Sequence, residues 1–264
     1  MPTFTGKTFS NFYKNILGIN QSTNTGVDTT TRAIHDGAGQ STSVALSDDV
    51  LSVQPTTDNT TGTFLVKNQG GSNILAVDTS NSKVLVGASQ VAANTQYAYY
   101  GIDSSENASW SANTHYIVPF IQGGVATPNN NAIGTGTDPD TSLTIATTAF
   151  SVITGYWHII DNITIDSVTW WSAADANTGD TYRAHLMSYD VVTTAGATSG
   201  DLSNGIVAAD GADITSDGHE QAYYQAMTVQ SADIDVGKVV LFCFRSDSDN
   251  SDYIINATVK YHIR

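Results

Sequence analysis

The stretch KVVLFCFRS, residues 238–246, decides the fold. Side chains alternate across a strand, so Val239, Leu241 and Cys243 point one way and Val240, Phe242 and Phe244 the other. Both faces are therefore apolar. One belongs inside a sandwich of two sheets. The other requires a second cover, for which a neighbouring subunit is the economical candidate. Cys243 reads accordingly as a small buried hydrophobe, not a nucleophile.

Working outward, further strand signals lie near 142–148, 156–160, 163–171, 181–191, 203–208, 221–230 and 252–262. Turn-forming clusters separate them: DANTGD, TTAGATSGD, DGADITSDGHE and SDSDNSD. About eight strands with no helix between them predict a β-sandwich, with a jelly roll as first choice, for a head over residues 91–264. Within it, residues 91–138 read as a loop-rich bridge. Composition agrees with an all-β chain. Charged residues are only 13% of the 264, and hydroxyls replace them, with 35 Thr and 26 Ser. The acids are 23 Asp and 2 Glu. Asp, Thr, Ser and Gly favour turns and strands, whereas the scarce Glu and Lys favour helices.

The net charge of −15 argues against nucleic acid as a partner. Residues 101–264 hold 19 acids against 5 bases, while residues 1–100 are nearly balanced, so the acidic half is expected to be the solvated end. One cysteine excludes an intrachain disulfide framework. No apolar run has the roughly 18 residues of a membrane span. The N-terminal residues lack the continuous apolar core of a signal peptide, which predicts synthesis in a reducing cytoplasm.

Residues 8–17, TFSNFYKNIL, place Phe9, Phe12, Tyr13, Ile16 and Leu17 on one helical face. A helix of about ten residues is too short to stand alone in water, so this anchor over 1–19 must dock its aromatic face on something. Residues 20–62 are polar and Thr-rich, and are expected to form an extended connector. Residues 63–90 follow a ten-residue spacing that brings Phe64, Ile74 and Val84 into one register and Leu65, Leu75 and Leu85 into the next. Strands of about four residues cannot bury an apolar side within one chain. Three chains around one axis, with these six residues inward, make a β stalk.

The segment NILAVDTSNSKVLVG (73–87) resembles the stalk motif of bacteriophage tail fibres and virion spikes, and TTRAIHDGAGQSTSVALSDDVLSVQP (30–55) resembles N-terminal segments of marine phage virion proteins. The resemblance covers about residues 20–90. It implies a homotrimer on the virion surface, assembled in the host cytoplasm and attached to capsid or tail proteins. It also implies a head of the kind many phage fibre tips carry, a jelly roll resembling the tumour-necrosis-factor fold.

Catalytic patterns do not stand out. The six histidines form no zinc-binding pair: His219 with Glu220 lacks a second histidine four residues on. There is no phosphate-binding loop, dinucleotide fingerprint or G-x-S-x-G elbow. A non-enzymatic protein without cofactor is expected, and a free carbohydrate-binding or lytic module is disfavoured. Asp247, Asp249 and Asp252 are weak calcium candidates, as are Asp175, Asn177 and Asp180, since hard cations take such oxygen clusters. Trp170 and Trp171 are adjacent in a strand, as are Tyr223 and Tyr224, so one of each pair lies outside the core. The outward residue serves a subunit interface or stacks on a host-surface glycan. The resulting expectation is a homotrimeric capsid decoration or head fibre. The alternative is a tail fibre that recognises such a glycan.

Overall fold

The computed structural model describes residues 17–21, 26–87, 91–103, 110–120, 131–145, 150–174, 178–249 and 253–264. Most of the proposed anchor helix lies outside these. The chain forms two compact units, Met1–Ala93 and Asn94–Arg264, and among the described residues every regular element except one 3-10 turn is a strand.

The first unit holds two antiparallel sheets. One orders β1 (Gly18–Ile19), β2 (Arg32–His35), β3 (Ser41–Leu46) and β4 (Leu51–Val53) as β1-β2-β3-β4. Residues 20–62 are therefore not simply an extended connector but carry three of these strands. Their turns are local and polar. Asp36 Oδ1 accepts from the backbone N–H groups of Ala38 (2.8 Å) and Gln40 (2.9 Å), and Ser47 Oγ accepts from Val50 N (3.0 Å). Strand β2 reads RAIH, and β3 and β4 mix Ser and Thr with aliphatic residues, so periodicity in large apolar residues did not reveal them. The second sheet is a meander of β5 (Phe64–Lys67), β6 (Asn73–Asp78), β7 (Lys83–Val86) and β8 (Val91–Ala92). Asp78 closes one of its hairpins by accepting from Asn81 N (2.9 Å) and Asn81 Nδ2 (2.8 Å).

The second unit contains β9 (Thr95–Asp103), β10 (Thr114–Val118), β11 (Trp157–His158), β12 (Ile163–Ala174), β13 (Thr178–Val191), β14 (Leu202–Asp210), β15 (Ile214–Asp217), β16 (Gln221–Ala226), β17 (Thr228–Val229), β18 (Asp233–Ile234), β19 (Lys238–Ser246) and β20 (Tyr253–Ile263). A seven-stranded sheet runs β10-β19-β13-β14-β17, with β11 on β19 and β15 on β13. A five-stranded sheet runs β16-β12-β20-β9, with β18 on β12. Every pairing is antiparallel. Residues 91–138, expected to be a loop-rich bridge, supply two of the principal strands. The first of them, β9, pairs with the last strand of the chain.

The two sheets face each other across an aromatic core. Tyr100 and Trp170 from one sheet meet Phe242 from the other at centroid distances of 5.8 and 6.1 Å. Tyr253 meets Tyr182 at 5.3 Å and Phe244 at 4.8 Å. Buried aromatic polar atoms have partners, as burial requires. Tyr100 Oη donates to Val240 O (3.0 Å), Trp170 Nε1 donates to Gln225 Oε1 (3.2 Å), and Tyr182 Oη accepts from Ser172 Oγ (3.2 Å).

The opposite face of the seven-stranded sheet is also dry. Ile117, Met187, Tyr189, Val239, Leu241 and Cys243 are buried beneath Ile133, Leu143 and Val152. These covering residues come from residues 131–145 and from the 3-10 turn Phe150–Gly155. The second cover expected of a neighbouring subunit is thus the chain's own segment. Gly155 is what lets the turn lie so close, because a Cβ there would sit 2.3 Å from Ile117 Cγ2. Burial pushes the Cys243 thiol up, as befits a packing residue.

His115 and His185 end this buried layer. Both are fully buried, with ring centroids 5.0 Å apart. His115 Nε2 lies 3.1 Å from Gly136 O, while His185 Nε2 lies 3.2 Å from Asp210 Oδ1 and 3.4 Å from Asp138 Oδ1. Burial pushes each imidazole down to about 4, aided at His115 by His185 and Arg245, and at His185 by Arg183 and Arg245 against the pull of Asp138.

Two outcomes follow. Gly155→Val should lower the stability of the 94–264 unit by about 1–3 kcal/mol through overpacking, read as a lower denaturant midpoint. For the histidines, the folded pKa lies below the free value of 6.5, so the unfolded chain binds more protons as pH falls. Stability should drop between pH 6.5 and about 4 by up to about 1.4 kcal/mol per pH unit for each imidazole. Asp210, raised by burial, opposes this in part, whereas the lowered carboxylates of Asp78 and Asp190 titrate below the window. A His115→Asn, His185→Asn variant should show a flatter stability profile over that range in denaturation measured at successive pH values.

Candidate functional site

Among the described residues, two exposed sheet faces bear on function. The first is the outer face of the five-stranded sheet. Strand β12 alternates, so Trp170 is 1% exposed in the core while Trp171 is 52% exposed outside. Tyr224 stands directly opposite Trp171 on β16 and is 54% exposed. Their rings lie 5.1 Å apart and tilted by 51°. The pairing continues across the sheet, from Trp171 to Asn256 on β20 and from Asn256 to Gly101 on β9. One row along, Thr169 faces Thr258, which faces Tyr99; the next aligns Ser167, Lys260 and Tyr97. Tyr97 is 53% exposed. The face thus has aromatic rings at both margins and hydroxyl, amide and ammonium groups between them. Ring faces stack on apolar planes while the polar groups exchange hydrogen bonds, a combination that suits a sugar or a partner surface.

Of the four aromatics singled out in the sequence, Trp171 and Tyr224 come together on this face. Trp170 does not, being core. Tyr223 is half-buried against the core, where its Oη accepts from Asp217 N (3.2 Å). Tyr97 and Tyr99 were missed. The alternation in TQYAYYGID carried the signal, with Ala98, Tyr100 and Ile102 buried between them, but it lay inside a region read as bridge.

The second exposed face belongs to β5–β8. The ten-residue spacing groups Phe64, Ile74 and Val84, but antiparallel pairing regroups them. Phe64 faces Val77, which faces Val84; Val66 faces Leu75, which faces Val86, which faces Val91. Residues directly opposite share a face, so these seven apolar side chains form one surface. Phe64, Val66, Val84, Val86 and Val91 are each 39–41% exposed. Leu65, Ala76, Leu85 and Ala92 lie on the other face, and Ile74 is skipped by a register shift. A parallel stack preserves equal repeat positions on one face; a meander reverses direction at each hairpin and does not.

Among the calcium candidates, Asp175, Asn177 and Asp252 lie outside the described residues. Asp247 joins strand ends, its Oδ1 accepting from Thr181 N (2.7 Å) and its own N donating to Thr181 O (2.9 Å). No group of three or more His, Cys, Asp or Glu side chains among the described residues is placed to hold a metal ion. Of the docking residues, Phe9, Phe12, Tyr13 and Ile16 lie outside the described residues, and Leu17 is exposed. The chain matches no protein-family model and no curated protein.

The adjacent tryptophans give a direct contrast. Trp170→Ala should cost about 3–5 kcal/mol, the usual loss for a buried aromatic. Trp171→Ala should cost less than about 1.5 kcal/mol in the single chain, because the residue is 52% exposed and the ring contact it loses is the one with Tyr224. Thermal denaturation of the two variants of the 94–264 unit measures both.

Proposed function

We propose that this chain is a non-enzymatic structural protein of a bacteriophage virion, a homotrimeric capsid decoration or head fibre docked through its N-terminal segment with the acidic head outward. The observation that carries this reading is the apolar face of β5–β8. Seven large side chains on one side of a four-stranded meander call for a partner surface, since burial of such area drives association. Closed rotational symmetry covers it with copies of itself, and the stalk resemblance of residues 73–87 makes the number three. The head supports the same reading. Its two antiparallel sheets, β10-β19-β13-β14 and β9-β20-β12-β16, with first and last strands paired, support the expected jelly roll. A second reading, a tail fibre that adsorbs to a host-surface glycan, is favoured by the exposed Trp171, Tyr224 and Tyr97.

Purified protein should have three times the single-chain mass of 27.9 kDa. Leu75→Asp, which sets three carboxylates against an apolar surface, should dissociate it while leaving the head folded. A monodisperse wild-type monomer at micromolar concentration would overturn the trimer. Removing residues 1–19 should leave the trimer intact but abolish its incorporation into particles. Copies per particle in proportion to capsid subunits support decoration, whereas a handful per particle, with loss of adsorption in Trp171→Ala, supports the tail-fibre reading.

A further inference from the structure

At one end of the seven-stranded sheet, on its outer face, three basic side chains occupy one row. His115 on β10 pairs with Arg245 on β19, which pairs with Arg183 on β13. The His115 imidazole is neutral at ordinary pH, but the two arginines are like charges directly opposite one another, which is destabilising in a sheet. The two arginines line an open cavity of about 260 Å³ together with Asn113, Thr181, Tyr182, Asp213 and Asp247. Asn113 adopts a left-handed backbone (φ 59°) and its Oδ1 accepts from Arg245 Nη2 (2.7 Å). This clamps one corner of that guanidinium. Arg183 Nε lies 2.9 Å from Asp213 Oδ1, near enough to pair in charge but off the hydrogen-bond line. Among the described residues, the buried Nε–H groups of both arginines have no aligned acceptor. A guanidinium has five N–H donors in a planar fork, and a planar carboxylate that reaches its outer edge satisfies two of them at once.

We propose that this cavity binds the carboxylate of an acidic monosaccharide unit, with the two arginines as its recognition fork. Two guanidinium groups and two carboxylates make the lining electrically balanced. A bare polyanion therefore gains little from it. A ligand that brings hydroxyl donors along with its carboxylate is matched, since Asp213, Asp247, Asn113 and Thr181 stand around the fork as partners for hydroxyls. The cavity has room for one sugar ring, below the usual span of drug-sized pockets. The inference is independent of the trimer and of virion attachment, and it concerns a different face from that of Trp171 and Tyr224.

The chain has only four arginines, so their Nε–H signals in a ¹H–¹⁵N spectrum are few enough to follow singly. Titration of the purified wild-type protein with D-glucuronate should move two of the four, those lost in Arg183→Gln and Arg245→Gln. The uncharged methyl ester of glucuronate should leave them in place. Arg245→Gln should weaken glucuronate binding by about tenfold or more, the usual value of a charge-assisted hydrogen bond. If that variant fails to fold, Arg245→Lys keeps the charge, loses the fork, and should show the same weakening. No movement of the arginine signals up to about 50 mM glucuronate, the weak end of specific recognition, overturns the proposal. So does equal binding of the methyl ester, which would mean the carboxylate is not read. Acetate or sulfate moving the same signals at the same concentrations as glucuronate overturns the saccharide assignment in favour of a general anion site.

Discussion

A central strand apolar on both sides must be covered twice, and the head of this protein is built around that constraint. Strand β19 lies between β10 and β13, with Phe242 and Phe244 on one side and Leu241 and Cys243 on the other, all fully buried. The five-stranded sheet covers the first side with Tyr100, Trp170 and Tyr253. Residues 131–145 and the Phe150–Gly155 turn cover the second. Because that layer is complete within one chain, the head needs no neighbour to close its core. Any association of the head therefore uses an outer face and not an unfinished interior.

The meander of β5–β8 is the opposite case. Its strands run from two to six residues, and Ala76 and Asp78 are the only buried residues among them. A sheet of this size gains stability by packing its apolar face on another layer. The pull toward self-association thus falls on residues 64–91, where large side chains are exposed, and not on the strand that first suggested it.

What the sequence made legible follows from how each signal arises. Alternation is local, so the strand character of β12, β13, β19 and β20 and the opposed directions of Trp170 and Trp171 are readable from residue order alone. Which tryptophan faces inward depends on β13 and β19 lying beneath it, and residue order does not carry that. Strand β2 reads RAIH, and β3 and β4 mix Ser and Thr with aliphatic residues, so none offers a long apolar run; β9 does alternate, but its tyrosines lie in a stretch otherwise punctuated by polar residues. Register is the least visible quantity. The spacing of Leu65, Leu75 and Leu85 is the same whether the copies stack in parallel or fold back on each other, yet only folding back puts Leu75 on the face opposite Leu65 and Leu85. The arginine row was invisible for the same reason: Arg183 and Arg245 are 62 positions apart and meet only through the β13–β19 register.

The placement of positive charge in the head bears on what the head can bind. Residues 101–264 contain five basic side chains against nineteen acidic ones. Lys238 is held by Asp190, and Arg264 by Asp233 and Asp235. Those pairs leave the long-range field negative, and at physiological salt that field is screened beyond about 8 Å. An approaching anion is therefore repelled weakly at a distance and is retained only where short, directional donors outweigh the repulsion. Arg183 and Arg245 are the one place among the described residues of the head where two guanidinium groups meet, with hydrogen-bond donors still to spare. On the proposed reading, such a surface favours an anion that fits the fork over one that binds by charge density alone. The acidity of the head and the proposed selectivity of its cavity then follow from one charge arrangement.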